Sequence, residues 1–182
     1  MIEKWTLLKQ TTVYENPFLT IYEEELRSSD GRIIPQYYSV KRRDAAFIIA
    51  LTSNKQVPLV FQYKNGVKDL IWELPAGFIE EKEEPELAAR RELSEETGFE
   101  ATEFELLGRY APNPSISNNR NFVFLAKDAT KVAEQHLDQN EEIEVKLFDL
   151  QELFADIKNQ RSVFVDCQSQ LSLLLLGEKL NL

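Results

Sequence analysis

The 182 residues suit one domain of ordinary size, or one domain with a small appendage. With 43% hydrophobic and 29% charged residues the chain can bury a real core, and these figures exclude wholesale disorder. A formal charge of −10 serves solubility and argues against nucleic acid or an anionic membrane as partner, although divalent cations can still join such a protein to a phosphate compound.

The N-terminus, Met1-Ile2-Glu3-Lys4-Trp5, has no basic flank leading into an apolar stretch. No signal peptide is expected, and a cytoplasmic location is the default. Polar and apolar residues alternate around Thr12-Val13-Tyr14 and from Phe18 to Leu26; Ser29-Asp30-Gly31 marks a turn, and Ile33 to Val40 is extended again. This predicts a small antiparallel sheet. Ala45 to Leu51 is the longest apolar run, too short for the roughly 20 residues of a membrane helix and suited to a buried central strand. Ser53-Asn54-Lys55 turns the chain, and Val57 to Tyr63 returns as a strand. Trp72-Glu73-Leu74 is a short strand leading into Pro75-Ala76-Gly77, and a helix is expected over about Pro85 to Thr97. Strands follow at Phe104 to Tyr110, Asn121 to Ala126 and Glu144 to Phe148, then helices at Leu150 to Lys158 and Ser169 to Lys179. The expected class is α/β (α+β): a mixed sheet sandwiched by helices, preceded by a small N-terminal antiparallel β element. The expected division is 1–44 and 45–182.

One cysteine, Cys167, and one histidine, His136, exclude an intrachain disulfide and any metal site built from several Cys or His. A metal here takes oxygen ligands, which points to Mg²⁺, Mn²⁺ or Ca²⁺. The helix at Pro85 shows where. Proline suits the first helical position, Glu83, Glu84 and Glu86 sit where the helix dipole favours negative charge, and Gly98 suits the C-terminal cap. Glu92, Glu95 and Glu96 share one face within one turn, with Ala88; Leu87, Arg90, Arg91 and Ser94 are expected on the opposite face. Small alanines beside the glutamates leave room for a ligand or for close backbone approach. Each like-charge pair costs a few tenths of a kcal/mol, a cost that makes sense if a cation sits among them. A solvated Glu/Arg face explains the helix taken alone equally well.

The helix is part of a longer pattern. From Gly77 to Phe99 the residues resemble the Nudix box, G-x5-E-x7-R-E-U-x-E-E-x-G-U with U aliphatic: Gly77, Glu83, Arg91, Glu92, Leu93, Glu95, Glu96 and Gly98 all fit, and Phe99 is the one departure. At ordinary residue frequencies such a coincidence arises at roughly one start position in 10⁸ or fewer. In that pattern Gly77 is expected to permit a tight or left-handed loop, and Glu83 with Arg91 to pin loop to helix. The resemblance implies a Mg²⁺-dependent hydrolase (Mn²⁺ the alternative) that cuts a diphosphate bond, with Glu92, Glu95, Glu96 and the backbone carbonyl of Ala76 as metal ligands.

Outside the box, Leu74-Pro75-Ala76-Gly77, Pro114 (15 residues beyond Phe99), Trp5 and Tyr37-Tyr38-Ser39-Val40-Lys41-Arg42 are similar to the ADP-ribose pyrophosphatase-like subgroup. That similarity implies an N-terminal β element packed or exchanged in a homodimer. It places Trp5 and Tyr37 against the adenine, although both rings equally suit a dimer core. Arg42 and Lys64 match phosphate or ribose contacts; lysine at 64, where arginine is usual, keeps charge without the bidentate fork. Glu73 matches a substrate-contacting acid, or is a surface residue of its strand. In Asp138-Gln139-Asn140-Glu141-Glu142, Glu141 aligns with a further metal-ligand or base position, while Gln139 stands where some members carry the catalytic glutamate. Glu141, Glu142 and a box glutamate (Glu95 or Glu96) all remain candidates for the base. The segment Pro112 to Asn121 lacks the glycine and acid usual for ADP-ribose and is expected to border the sugar or distal phosphate, with Arg120 as a phosphate contact or a solvent residue. The implied substrate is a nucleoside diphosphate sugar, ADP-ribose first and GDP-mannose as the alternative. A catalytically silent nucleotide-binding sensor keeps the fold without the chemistry. A housecleaning hydrolase of triphosphates would not need the N-terminal element.

Overall fold

The computed structural model describes residues 1–181 as two compact units, Met1–Asp44 with Tyr110–Arg120, and Ala45–Arg109 with Asn121 onward.

The first unit is an antiparallel meander in the order β1-β2-β3: β1 (Thr6–Glu15), β2 (Leu19–Arg27) and β3 (Ile33–Arg42). Asn16 turns β1 into β2, its Oδ1 accepting from the Phe18 and Leu19 amides at 2.8 and 2.9 Å. At the second turn Gly31 has φ 87°, a backbone angle that glycine adopts without penalty, and its amide donates to the Ser28 carbonyl at 3.0 Å. β1 is an edge strand exposed along its whole length. The segment Tyr110–Arg120, which holds most of the Pro112 to Asn121 stretch expected to border the substrate, belongs to this unit. It lies along β3, where the Val40 amide donates to the Ile116 carbonyl at 2.7 Å and the Asn118 amide to the Val40 carbonyl at 3.2 Å.

The second unit holds β4 (Ala45–Leu51), β5 (Gln56–Lys64), β6 (Asp69–Glu73), β7 (Ala76–Phe78), α1 (Pro85–Thr97), β8 (Phe99–Glu100), β9 (Glu103–Tyr110, all but its last residue), β10 (Asn121–Lys127), β11 (Thr130–Lys131), β12 (Glu144–Asp149), α2 (Leu150–Lys158) and α3 (Cys167–Leu180). The four-stranded sheet runs β7-β4-β10-β9 and is mixed: β4 pairs parallel with β10 and antiparallel with β7. A second, antiparallel sheet runs β12-β5-β6, and β8 pairs with β11. The mixed α/β class expected from the sequence is the class observed.

α1 packs on the parallel pair. Ala88, Ala89 and Leu93 are fully buried against Ala46, Ile48, Ala50, Phe124 and Ala126, and Phe99 fills the end of the same cluster. The alanines therefore serve close approach of helix and sheet and leave no ligand space beside them. α1 and α3 both contact β4, while α2 contacts α3 and β12. α2 and α3 begin at Asp149 and Asp166, whose side chains cap the first-turn amides. The strands that sequence reading passed over, β7, β8 and β11, are two or three residues long, too short to show a period of two.

Candidate active site

The site is built where β7 passes under α1. Of the tight or left-handed entry expected at Gly77, the left-handed angle is absent; the positive-φ glycines are Gly31 and Gly98. What Gly77 answers is close approach. A Cβ at Gly77 would overlap the Glu92 carboxylate, so the carboxylate takes this position only beside a residue without a side chain. Gly98 does take the left-handed angle, φ 72°, and its amide returns to the Ser94 carbonyl at 2.8 Å to end α1.

Arg91 braces the cluster. Its Nε and Nη2 donate to the two oxygens of Glu83 at 3.0 and 3.1 Å, and Nη2 also donates to the Phe78 carbonyl at 3.0 Å. Nη1 donates to Glu92 Oε1 at 2.7 Å and to Glu95 Oε2 at 3.1 Å. Arg91 stands one turn before Glu95 and so borders the acidic face, which corrects the opposite-face expectation for this residue. The guanidinium holds the Glu83 carboxyl below its usual range, and the surrounding carboxylates raise Arg91. Glu83 closes the approach to the helix by accepting from the Glu80 amide at 2.8 Å. Glu83 and Arg91 thus form the loop-to-helix pin that the motif implies.

The three glutamates of the acidic face have unequal surroundings. Glu95 is 42% exposed at its side chain and Glu92 12%, while Glu96 is 3% exposed as a residue. Glu96 Oε2 accepts from the Ala76 amide at 2.9 Å. Burial, then the neighbouring charge of Glu92, pushes the Glu96 carboxyl well above its usual range; burial likewise raises Glu92, opposed by Arg91. Glu141 is among the charges that raise Glu92, so the late acidic loop reaches the electrostatic neighbourhood of the box. The Glu141 carboxylate accepts from the Asp138 amide at 3.0 Å. Among the described residues no three Asp, Glu, His or Cys side chains converge as a ready-made metal cluster. Arg91 and the Ala76 amide engage the carboxylates instead. The oxygen-only donor set and the Cβ-free cradle at Gly77 fit a hard divalent cation.

Lys64 and Glu73 form an ion pair, Nζ to Oε1 2.6 Å, joined by Gln62 Nε2 at 2.8 Å. Glu73 is 8% exposed, so the surface-residue alternative for it falls. Desolvation raises its carboxyl, with Lys64 opposing. Trp5, Tyr37, Arg42 and Arg120 belong to the first unit. Trp5 is 49% exposed. The Tyr37 hydroxyl donates to the Ser115 carbonyl at 2.6 Å, and the Arg42 amide donates to Asn118 Oδ1 at 3.1 Å. Arg120 Nη1 donates to the carbonyls of Asn118 and Asn119, both at 3.1 Å, while its amide donates to Asp44 at 2.7 Å. Sequence reasoning missed Ser169, fully buried on α3, whose Oγ accepts from the Leu74 amide at 3.0 Å just before the Pro75-Ala76-Gly77 turn. It also missed Gln135. Neither lies in a local pattern.

The site is thus a glutamate-bearing helix pinned by an Arg–Glu fork to the loop that follows a glycine strand, on a mixed sheet. Residues 41–166 match the NUDIX domain, and residues 5–40 match the nucleoside diphosphate sugar hydrolase N-terminal domain. The chain therefore belongs to the Nudix family, as an enzyme of the nucleoside diphosphate sugar hydrolase class. It is 30% identical to an ADP-ribose pyrophosphatase of Bacillus subtilis over 145 residues, 79% of this chain and 77% of the relative. It is 32% identical to a methanol dehydrogenase activator of Bacillus methanolicus over 123 residues, 67% of this chain and 66% of the relative. A solved structure described as an ADP compounds hydrolase superposes with TM-score 0.86 at 23% identity, covering 100% of this chain and 96% of that one, a likeness of fold. No helix among the described residues is long and apolar enough to cross a membrane.

Proposed function

We propose that the chain hydrolyses ADP-ribose to AMP and ribose 5-phosphate in a Mg²⁺-dependent reaction, as a homodimer. The observation that carries the reaction is the Arg91-braced glutamate cluster, with Glu96 buried on the Ala76 amide. The B. subtilis relative, an ADP-ribose pyrophosphatase, supports the substrate. In this reading Glu92, Glu95, Glu96, the Ala76 carbonyl and Glu141 hold the cations. A bound cation supplies Lewis acidity toward the diphosphate oxygens and a more acidic water. Glu141, or one of Glu95 and Glu96, takes the proton from the attacking water. Arg91 keeps Glu92 and Glu95 turned toward one point. Trp5 and Tyr37 stack on the adenine, and Arg42 and Arg120 meet phosphate or ribose. Lys64 meets substrate as the partner of Glu73, so its charge is shared.

Purified protein with Mg²⁺ and a panel of nucleoside diphosphate sugars tests this; no monophosphate released from any of them would sink it. The Asn- and Pro-rich segment 112–121 favours GDP-mannose as the second reading, and faster turnover of that compound would establish it. The dimer rests on β1, an exposed edge strand that presents Leu7, Leu8, Val13 and Tyr14 to solvent. A monomer by light scattering at micromolar concentration would refute the dimer.

A further inference from the structure

We propose that Gln135 is a positioning residue that latches the Glu141 loop onto the end of α1. Resting on the reading of Glu141 as a working carboxylate, the proposal starts from the C-terminal end of that helix. An α-helix leaves its last carbonyls without intrahelical partners. Here the segment after β11 meets them. The Val132 and Ala133 amides donate to the Gly98 carbonyl at 2.9 and 3.2 Å, and the His136 amide donates to the Glu95 carbonyl at 2.8 Å. These are backbone contacts that almost any residue type makes.

Gln135 differs because its side chain does the work. Its Nε2 donates to the Glu96 carbonyl at 2.7 Å and to the Ile143 carbonyl at 3.1 Å. A carboxamide has two N–H donors, and both are committed. One joins the backbone of the most buried box glutamate. The other joins the far end of the stretch 136–142. That stretch is then held at both ends: His136 on Glu95, and Ile143 through the Gln135 amide and its own buried side chain. Between them the loop closes on itself, the Glu141 amide donating to the Asp138 carbonyl at 3.0 Å and the Asp138 amide to the Glu141 carboxylate at 3.0 Å. Seven exposed or half-buried residues bury little apolar surface to order themselves. Tying their ends together removes loop freedom, and the tie point is the helix that carries the other carboxylates. No other type replaces Gln135 freely: leucine fills the volume but donates nothing, and asparagine has the donors but is one methylene short of spanning both carbonyls.

The test uses the full chain, turning over whichever member of the substrate panel it hydrolyses, in a cycle of Gln135→Leu, Glu141→Gln and the double variant. Gln135→Leu is expected to lower kcat on the order of 10²-fold with KM within about twofold, because misplacing a reacting group by about 1 Å costs that much. In the Glu141→Gln background the same substitution should add less than about twofold, since the carboxylate it positions is already gone. Wild-type kcat in Gln135→Leu beside an impaired Glu141→Gln overturns the latch, and so do effects that multiply. A fully active Glu141→Gln overturns the reading of Glu141 instead. Amide hydrogen exchange then judges the latch by itself: exchange over 137–142 should speed up in Gln135→Leu while α1 keeps its protection, and unchanged loop exchange overturns it. If Gln135→Leu unfolds, Gln135→Asn carries the same comparison.

Discussion

Two acidic regions, the box helix and the loop in which Glu141 is the proposed working carboxylate, are held in different ways. α1 presents Glu92, Glu95 and Glu96 from a helix whose other face is sealed into the core by Ala88, Ala89 and Leu93. The loop of Glu141 has no such face; its order comes from a self-closing turn and the Gln135 amide. A packed helix fixes its side chains through burial spread over many contacts, whereas the loop depends on a few hydrogen bonds worth about 0.5–1.5 kcal/mol each. A change in the loop is therefore expected to move its carboxylate more readily than a change of the same size in α1.

The comparison is tested hardest at Glu96. Glu96→Gln keeps the shape and is expected to lower kcat by about 10²–10⁴-fold, measured as monophosphate release, with the far-UV spectrum unchanged. The same substitution should raise the Tm of metal-free protein near neutral pH. The folded-state carboxyl is raised by burial, so the folded chain binds its proton more tightly than the unfolded chain does. The stability from that proton is present below the usual carboxylate range and is lost as pH rises through the folded value. A scan from about pH 4 to pH 8 should therefore show the variant gaining on the wild type with pH. A variant that loses ground as pH rises would refute the buried-charge account.

Next in size is Gly77→Ala. The added methyl meets the Glu92 carboxylate, so strand or side chain must shift. We expect a loss of about 1–3 kcal/mol in denaturant unfolding together with a clear fall in kcat. Normal activity would show that β7 yields freely under α1. Arg91→Lys keeps a charge but loses the fork on Glu83 and the bonds to Phe78, Glu92 and Glu95. Destabilisation of about 1–3 kcal/mol is expected by urea titration, with reduced turnover. The smallest effect is placed in the loop. Glu142→Gln should leave kcat within about twofold, against a large loss for Glu141→Gln. The reverse ranking moves the working carboxylate by one residue and removes the meaning given to the Asp138–Glu141 turn.

The box was legible because each part of it is local. Helical periodicity sets Glu92, Glu95 and Glu96 on one face, a proline opens the helix and Gly98 closes it, and all of this lies within about four turns of sequence. The fold class was legible too, since the long strands and helices show their periods. Local pattern was silent where the cause was distant. The sequence suggests that a side chain at Gly77 would obstruct, but not that the obstruction is a carboxylate fifteen positions away. The segment Pro112 to Asn121 shows its turn residues in the sequence but not its place along β3, which it takes through pairings of backbone atoms that carry no residue signature.

By itself, then, the sequence placed three glutamates on one helix face, because the spacing of side chains along a helix is set by its own geometry; the diphosphate hydrolase came from the likeness of Gly77 to Phe99 to the Nudix box. Only the tertiary structure decided which glutamate is buried, that Lys64 is committed to Glu73, that Ser169 holds the Leu74 amide and that Gln135 holds Ile143. Burial and pairing across dozens of residues depend on how elements pack, and no short-range periodicity records that.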